Sequence, residues 1–336
     1  MTNEQQKYRV AIAGVGAQGA RIIDHLCELG HELVGAVDVG NKVGRSLRSF
    51  TTSSRVPDVR IGGSVSELLT FDRQPEIVVL AASTDARSQL ALAGEILDRG
   101  VNVITLHPDL FARDDSWALD LEAKAIAGGS SFMASGVQDT WWVQVPALVA
   151  SSSVGIHAIR VTSTLSLAQL SGSIGDEIGV GVTADEFAPY ADAMMKMPAT
   201  LGAPLLEAAR RIGVVAGEPI RGVTPVIAEA PYDWESGSRV IPIDRVAGMR
   251  ESFAFDTDKG VRFEGVIEIL PIAEAETADE LHVLGTPEHH LRYAPFPGFE
   301  ITNVGLVARI PDVVNASPGL MFSADMHAAT PQFPRA

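Results

Sequence analysis

The sequence predicts an α/β architecture: a parallel sheet wound by helices, then an α+β unit built on a mainly antiparallel sheet. Three observations predict it. Short apolar runs at 10–13, 33–37, 77–82, 101–105 and 131–134 alternate with helical stretches, the pattern of strands buried on both faces between crossover helices. Beyond Gly136 the strands lengthen, at 156–167 and 261–270, and Val261, Phe263, Gly265, Ile267 and Ile269 recur at every second position. Such alternation marks a sheet with one covered face. Finally, 336 residues at 46% hydrophobic content can fill two cores. The expected units are 1–138, 139–305 and a C-terminal segment, 306–336, that returns to the first.

The elements of the first unit carry the chemistry. Strand Val10-Ala11-Ile12-Ala13 runs directly into Gly14-Val15-Gly16-Ala17-Gln18-Gly19, a Gly-x-Gly-x-x-Gly turn that opens a helix. The first glycine makes the tight turn, the second lets the backbone approach a pyrophosphate, and the third lets helix and strand pack closely. The helix start then offers amides and a positive dipole end to phosphates. A second strand ends at Asp38, about 20 residues on, where an acid can accept ribose hydroxyls. This order predicts a Rossmann-type dinucleotide site in which Gly14, Gly16, Ala17, Gln18, Gly19 and Asp38 bind the cofactor. Lys42, Arg45 and Arg48 follow; Arg45 can hold the adenosine end or a 2′-phosphate. Acid and cations pull in opposite directions, so the choice between NAD and NADP stays open. Ligands in such sheets lie outside the carboxyl ends of the strands, which adds Ser83, Thr84 and the loop 105–109.

Composition excludes other classes. A formal charge of −16 argues against nucleic acid and anionic membrane surfaces, both of which reward basic patches. No run approaches the roughly 18 apolar residues of a membrane span, and residues 1–7 are polar, unlike a signal peptide. A soluble cytoplasmic protein is expected. Cys27 is the single cysteine; it can form no internal disulfide and is expected as a buried structural thiol. The eight histidines show no metal-ligand spacing, so no metal is expected. No Gly-x-Ser-x-Gly elbow supports acyl transfer.

Further blocks extend the pattern: Lys42-Val43-Gly44-Arg45, Ala134-Ser135-Gly136-Val137, the run 179–187, Pro225-Val226-Ile227-Ala228-Glu229, Val246-Ala247-Gly248 and Ser317-Pro318-Gly319-Leu320. With the glycine turn and Val37-Asp38 they span nearly the whole chain. In this order the chain resembles the dihydrodipicolinate-reductase-like dehydrogenases, and within them the bacterial amine dehydrogenases of the 2,4-diaminopentanoate dehydrogenase type. The resemblance implies a Rossmann domain, a substrate domain whose sheet forms a homodimer, and hydride exchange between NAD(P) and a carbon–nitrogen bond. The chain departs from these dehydrogenases at three places. Their Glu-Glu-Leu motif, whose first glutamate assists ammonia and water chemistry, reads His107-Pro108-Asp109-Leu110 here, with Pro108 at the glutamate position. Their Gly-Val-Asn-Pro-Gly-Phe becomes Gly136-Val137-Gln138-Asp139-Thr140-Trp141, and a late Gly-Gly-x-His-Gly-Asp-like loop becomes 297–302.

A nicotinamide dehydrogenase needs a group that manages the proton on nitrogen or oxygen. His107, after the strand nearest the expected nicotinamide, is a candidate donor or relay, with Asp109 orienting it; alternatively Asp109 caps a turn and His107 faces solvent. Asp139 is a second catalytic candidate or a helix cap, and Gln138 can bond the nicotinamide carboxamide. Trp141 and Trp142 pack a junction or wall a substrate pocket, and His157 faces a cleft or solvent. His289-His290 reads as an exposed turn. The cleft between the two units is the expected substrate site. The leading reading is an NAD(P)-dependent oxidoreductase acting on a small amine, imine or carbonyl; the alternative is a catalytically altered nucleotide-binding sensor or partner protein of the same fold.

Overall fold

A computed structural model of the chain describes residues 6–69, 73–82, 86–111, 113, 116–170, 172–234 and 239–332. The chain forms two compact units, Met1–Thr140 with Gly298–Ala336, and Trp141–Pro297.

In the first unit the short apolar runs become strands β1 (Arg9–Ala13), β2 (Glu32–Val37), β3 (Ile77–Leu80), β4 (Asn102–Thr105) and β5 (Ser131–Ala134). Between them lie helices α1 (Ala17–Glu28), α2 (Val65–Leu68), α3 (Ala86–Leu97) and α4 (Ser116–Gly128). α1 follows the amphipathic rule: Ile22, Ile23, Leu26 and Cys27 are buried at spacings that share one helical face.

The second unit begins with a π-helical turn, Gln138–Gln144, whose first residues belong to the first unit, and α5 (Val145–Ala150). There follow β6 (Val154–Ser166), α6 (Gly172–Glu177), α7 (Ala188–Met195), α8 (Gly202–Arg211), β7 (Ile220–Ile227), β8 (Tyr232–Trp234), β9 (Arg239–Ile241), β10 (Val246–Asp256), β11 (Arg262–Leu270), β12 (Ala278–Thr286) and β13 (His289–Tyr293). Its main sheet runs β13-β12-β6-β11-β10-β7. The sheet is mixed, because β11 and β6 are parallel neighbours while the other pairings are antiparallel. Along β11, Phe263, Gly265, Ile267 and Ile269 point into the buried face, as the alternation predicts.

The chain then returns to the first unit through α9 (Gly298–Val314) and β14 (Gly319–Met321). The return comes at Gly298 rather than at residue 306, because α9 begins there and its buried apolar face packs in the first unit. Leu306, Val307, Ile310 and Val313 of α9 share a core with Ile12, Ile104 and Met133. β14 adds a parallel edge strand beside β5, giving the order β14-β5-β4-β3-β1-β2. α9 starts beside Gly136, just past the carboxyl end of β5, and reaches the amino end at Val313, whose carbonyl accepts the Ser131 hydroxyl at 2.5 Å. Its first turns therefore stand over the carboxyl edge of the sheet, where ligands of wound parallel sheets bind.

Candidate nucleotide-binding and catalytic site

The glycine turn is shaped by close backbone contacts. Gly14 has a φ of +104°, and a Cβ there would lie 2.3 Å from the Ala81 carbonyl oxygen. A Cβ on Gly19 would lie 2.0 Å from the Gly14 carbonyl oxygen. Only glycine fits either position. Gly16 differs: nothing lies within 4 Å of its missing Cβ, and it is exposed. Gly16 is also the N-cap of α1, and no side chain caps that helix. Open space and uncapped amides meet at one point, the arrangement a pyrophosphate requires.

Asp38, at the end of β2, closes this turn. Its Oδ2 accepts the Val15 amide at 2.6 Å and the Lys42 ammonium at 3.1 Å, and its Oδ1 accepts the Val39 amide at 2.6 Å. Partial burial pushes its carboxyl up, but the Val39 and Val15 amides and Lys42 together hold it below the usual range. Each carboxylate oxygen accepts about two hydrogen bonds, so Oδ1 retains capacity for a ribose hydroxyl. The neighbouring cations are engaged within the chain. Lys42 Nζ also donates to the Val15 carbonyl at 3.1 Å, Arg48 Nε donates to the Val56 carbonyl at 2.8 Å, and the Arg45 guanidinium lies 4.5 Å over the Phe50 ring. Ser83 and Thr84 lie outside the described residues. Ala17 is exposed, and Gln18 is half-buried with an Oε1 that has no hydrogen-bond partner among the described residues.

The loop after β4 holds His107 inside rather than in solvent, at 5% exposure. Its backbone amide donates to the Thr105 hydroxyl at 3.2 Å, and its ring Nδ1 accepts the Asp109 amide at 3.3 Å. Asp109 therefore contacts the imidazole through its main chain. Pro108 is exposed in the same turn.

The segment after β5 departs most from the expected site. Asp139 is fully buried, and its carboxylate is gripped by Arg309 of α9, Nε to Oδ2 at 2.6 Å and Nη2 to Oδ1 at 3.0 Å. Ser135 adds its hydroxyl at 3.3 Å. A bidentate buried ion pair of this kind ties the β5 loop to α9, which gives Asp139 a structural role. Gln138, its neighbour, is 7% exposed and its Oε1 has no hydrogen-bond partner among the described residues.

In the second unit, Trp141 and Trp142 converge on Asp279 of β12, donating their indole N–H groups to Oδ1 at 2.6 Å and Oδ2 at 2.8 Å. Burial pushes the Asp279 carboxyl up to about 6 despite both donors. Trp142 is buried, whereas Trp141 is half-buried beside Tyr293 and Phe296, with ring centroids 5.5 and 5.9 Å away. His157 is exposed near the start of β6. The hairpin of β12 and β13 gathers ligand-type atoms of Glu280, His282 and His290 within 4.8 Å. The register supplies the cluster by setting His282 opposite His290, which residue spacing alone does not reveal. Glu280 is also paired with Arg292 at 3.0 Å, and the two imidazoles stack at 3.8 Å. Cys27 is buried, which with Asp24 and Glu28 pushes its thiol up to about 11; it is an inert packing residue.

Arg309, Asn303 and Asp279 were not anticipated. Each left a trace: a polar side chain at a position spaced for an apolar face, Asn303 and Arg309 three residues to either side of Leu306 in α9 and Asp279 two before Leu281 in β12. Such a residue needs a partner, but the sequence does not name it.

No protein-family model matches the chain. A 2,4-diaminopentanoate dehydrogenase from Acetoanaerobium sticklandii is 23% identical over 96% of this chain and 94% of that protein. The structure of an amine dehydrogenase from Mycobacterium smegmatis superposes with a TM-score of 0.85 at 24% identity, covering 98% of both chains. A myo-inositol dehydrogenase from Lactobacillus casei, solved with NAD(H) and myo-inositol, gives a TM-score of 0.60 at 14% identity over 95% of this chain and 90% of that one. The resemblance to the amine dehydrogenases is thus present in both sequence and fold. The chain has the Rossmann-type dehydrogenase fold.

Proposed function

We propose that this protein is an oxidoreductase that uses a pyridine nucleotide to move hydride to or from a carbon–nitrogen or carbon–oxygen bond of a small molecule. The observation that carries this reading is the turn at 14–19: two glycines that admit no Cβ, a third opening onto empty space, and an uncapped helix behind it. The amides around Gly16, Ala17 and Gln18 would hold the pyrophosphate, and Asp38 the adenosine ribose. Because Asp38 is ionised and Lys42, Arg45 and Arg48 are engaged internally, we assign NAD rather than NADP.

When bound, the nucleotide supplies the hydride donor or acceptor. The chain contributes orientation and proton management. His107, buried and fixed by the Asp109 amide, is the group we assign to polarise the substrate heteroatom. Likeness to an amine dehydrogenase and a diaminopentanoate dehydrogenase supports an amine, imine or carbonyl as substrate. Pro108 holds no proton, which favours direct reduction of C=O or C=N over chemistry that handles free ammonia. Trp141 with Tyr293 supports an aromatic substrate wall. A homodimer in the cytoplasm completes this reading.

Titration with NADH, NADPH and ADP-ribose tests the site, and oxidation of the reduced nucleotide with a ketone panel, with and without ammonia, tests the chemistry. Saturable binding, tighter for NADH than NADPH, is expected, together with turnover of a ketone or imine without added ammonia. Turnover only with ammonia would restore the amine reaction despite Pro108. Binding without turnover would favour a nucleotide sensor, and absence of binding would overturn the assignment.

A further inference from the structure

The hairpin of β12 and β13 carries a cluster that the nucleotide-binding reading does not use. His282 on β12 stands opposite His290 on β13, and Glu280 stands opposite Arg292. Glu280 and His282 are two residues apart in one strand, so they share a face of the sheet. Strand pairing thus brings an acid and two imidazoles together from residues whose linear spacing matches no metal-binding motif. The Glu280 Oε2 is the point of convergence: His290 Nε2 lies 3.2 Å from it and His282 Nε2 3.7 Å from it. The two rings stack with centroids 3.8 Å apart, and the ligand-type atoms of all three residues lie within 4.8 Å of one another. The three side chains are a third to a half exposed, open to an ion from solvent. Arg292 donates to Glu280 Oε1 at 3.0 Å, which fixes the carboxylate and leaves Oε2 to the imidazoles, as outer partners of metal ligands do. Arg160, opposite His282 on β6, is itself paired with Glu264 on β11.

We propose that Glu280, His282 and His290 bind one divalent transition ion of the zinc class, with Glu280 Oε2 and the two imidazole Nε2 atoms as ligands and water in the fourth position. Tetrahedral bonds of about 2.0–2.1 Å separate ligand atoms by about 3.3 Å. The two Nε2–Oε2 distances, 3.2 and 3.7 Å, bracket that value, and small torsional movements of exposed side chains close the remaining difference. Two nitrogen ligands and one oxygen suit zinc and its neighbours, whereas calcium and magnesium require oxygen. The ion ties β13, the edge strand of the sheet, to β12, so binding stabilises that edge. All three ligands belong to the second unit, and the site stands independently of the nucleotide-binding reading.

Zinc binding to the untagged full-length protein, followed by calorimetry and by competition with a chromophoric zinc indicator, tests the site. The wild type should take up one zinc per chain, and an excess of calcium or magnesium should not displace it. His282→Ala, His290→Ala and Glu280→Gln should each weaken that binding at least about tenfold. His289→Ala is the control, because His289 adjoins the cluster in sequence but its Nε2 lies 2.9 Å from the Ser152 hydroxyl; its zinc affinity should match the wild type. Zinc should also raise the melting temperature of the wild type and of His289→Ala but not of His290→Ala. Absence of saturable binding to the wild type, or one zinc per two chains, would overturn the site. So would an affinity unchanged in His282→Ala and His290→Ala, which would assign the zinc to adventitious binding at other surface groups.

Discussion

Asp139 in the first unit and Asp279 in the second are both carboxylates withdrawn from water, yet they are held in different ways. Asp139 meets the Arg309 guanidinium on both oxygens, so its charge is answered by a charge. Asp279 meets two indole N–H groups and no cation among its hydrogen bonds, so its charge is answered only by dipoles. The first arrangement welds two distant segments. The second leaves burial dominant and brings the carboxyl up to about 6. Two hydrogen bonds from neutral donors therefore do not offset burial at Asp279.

The largest effect expected from this contrast lies at Arg309. Arg309→Ala strands the Asp139 carboxylate in the interior and should cost about 3–5 kcal/mol in chemical denaturation. Replacing both partners together with leucine should recover much of that loss, and equal destabilisation by the single and double variants would contradict the pair. Arg309 also holds Asp312 and the His327 carbonyl, so recovery should be partial.

Asp279 comes next. Its folded value lies above the ordinary 3.8, so its favourable contribution is complete below about 3.8 and is lost as pH rises through about 6. At about 1.4 kcal/mol per pH unit the loss amounts to roughly 3 kcal/mol. Denaturation curves from pH 4 to 7 should show this fall in the wild type relative to Asp279→Asn, whose amide does not titrate. Parallel pH profiles would show that the carboxyl is not displaced.

Asp38 is the smallest case and has the opposite sign. Its folded value is depressed, so its contribution is present at neutral pH and is lost as pH falls below its ordinary range. Lys42 is partly exposed, and Lys42→Met should cost only about 0.5 kcal/mol. The variant should move the Asp38 carboxyl titration, read by NMR, upward; no movement would assign its depression to the Val39 and Val15 amides alone.

The site was legible in unequal parts. The turn at 14–19 and Asp38 could be read because their tasks are set by neighbours close in sequence, and Gly14 and Gly19 show in their missing Cβ space why no other residue serves. The loop that carries His107 could be read, but its burial and its contact with the Asp109 amide came from the turn beyond Thr105. The pairing of Asp139 was hidden because Arg309 enters from a helix far along the chain. The indole clamp on Asp279 was hidden for the same reason.

By itself the sequence determined the wound parallel sheet, the alternating face of β11 and the glycine turn, since hydrophobic period and backbone sterics act over a few residues. Only the tertiary structure decided that Arg309 answers Asp139 and that two tryptophans share Asp279. Those pairings depend on where α9 docks beside β5 and on the register of β12 in its sheet. Packing of whole elements sets both, and no local spacing encodes the partner of a buried polar group.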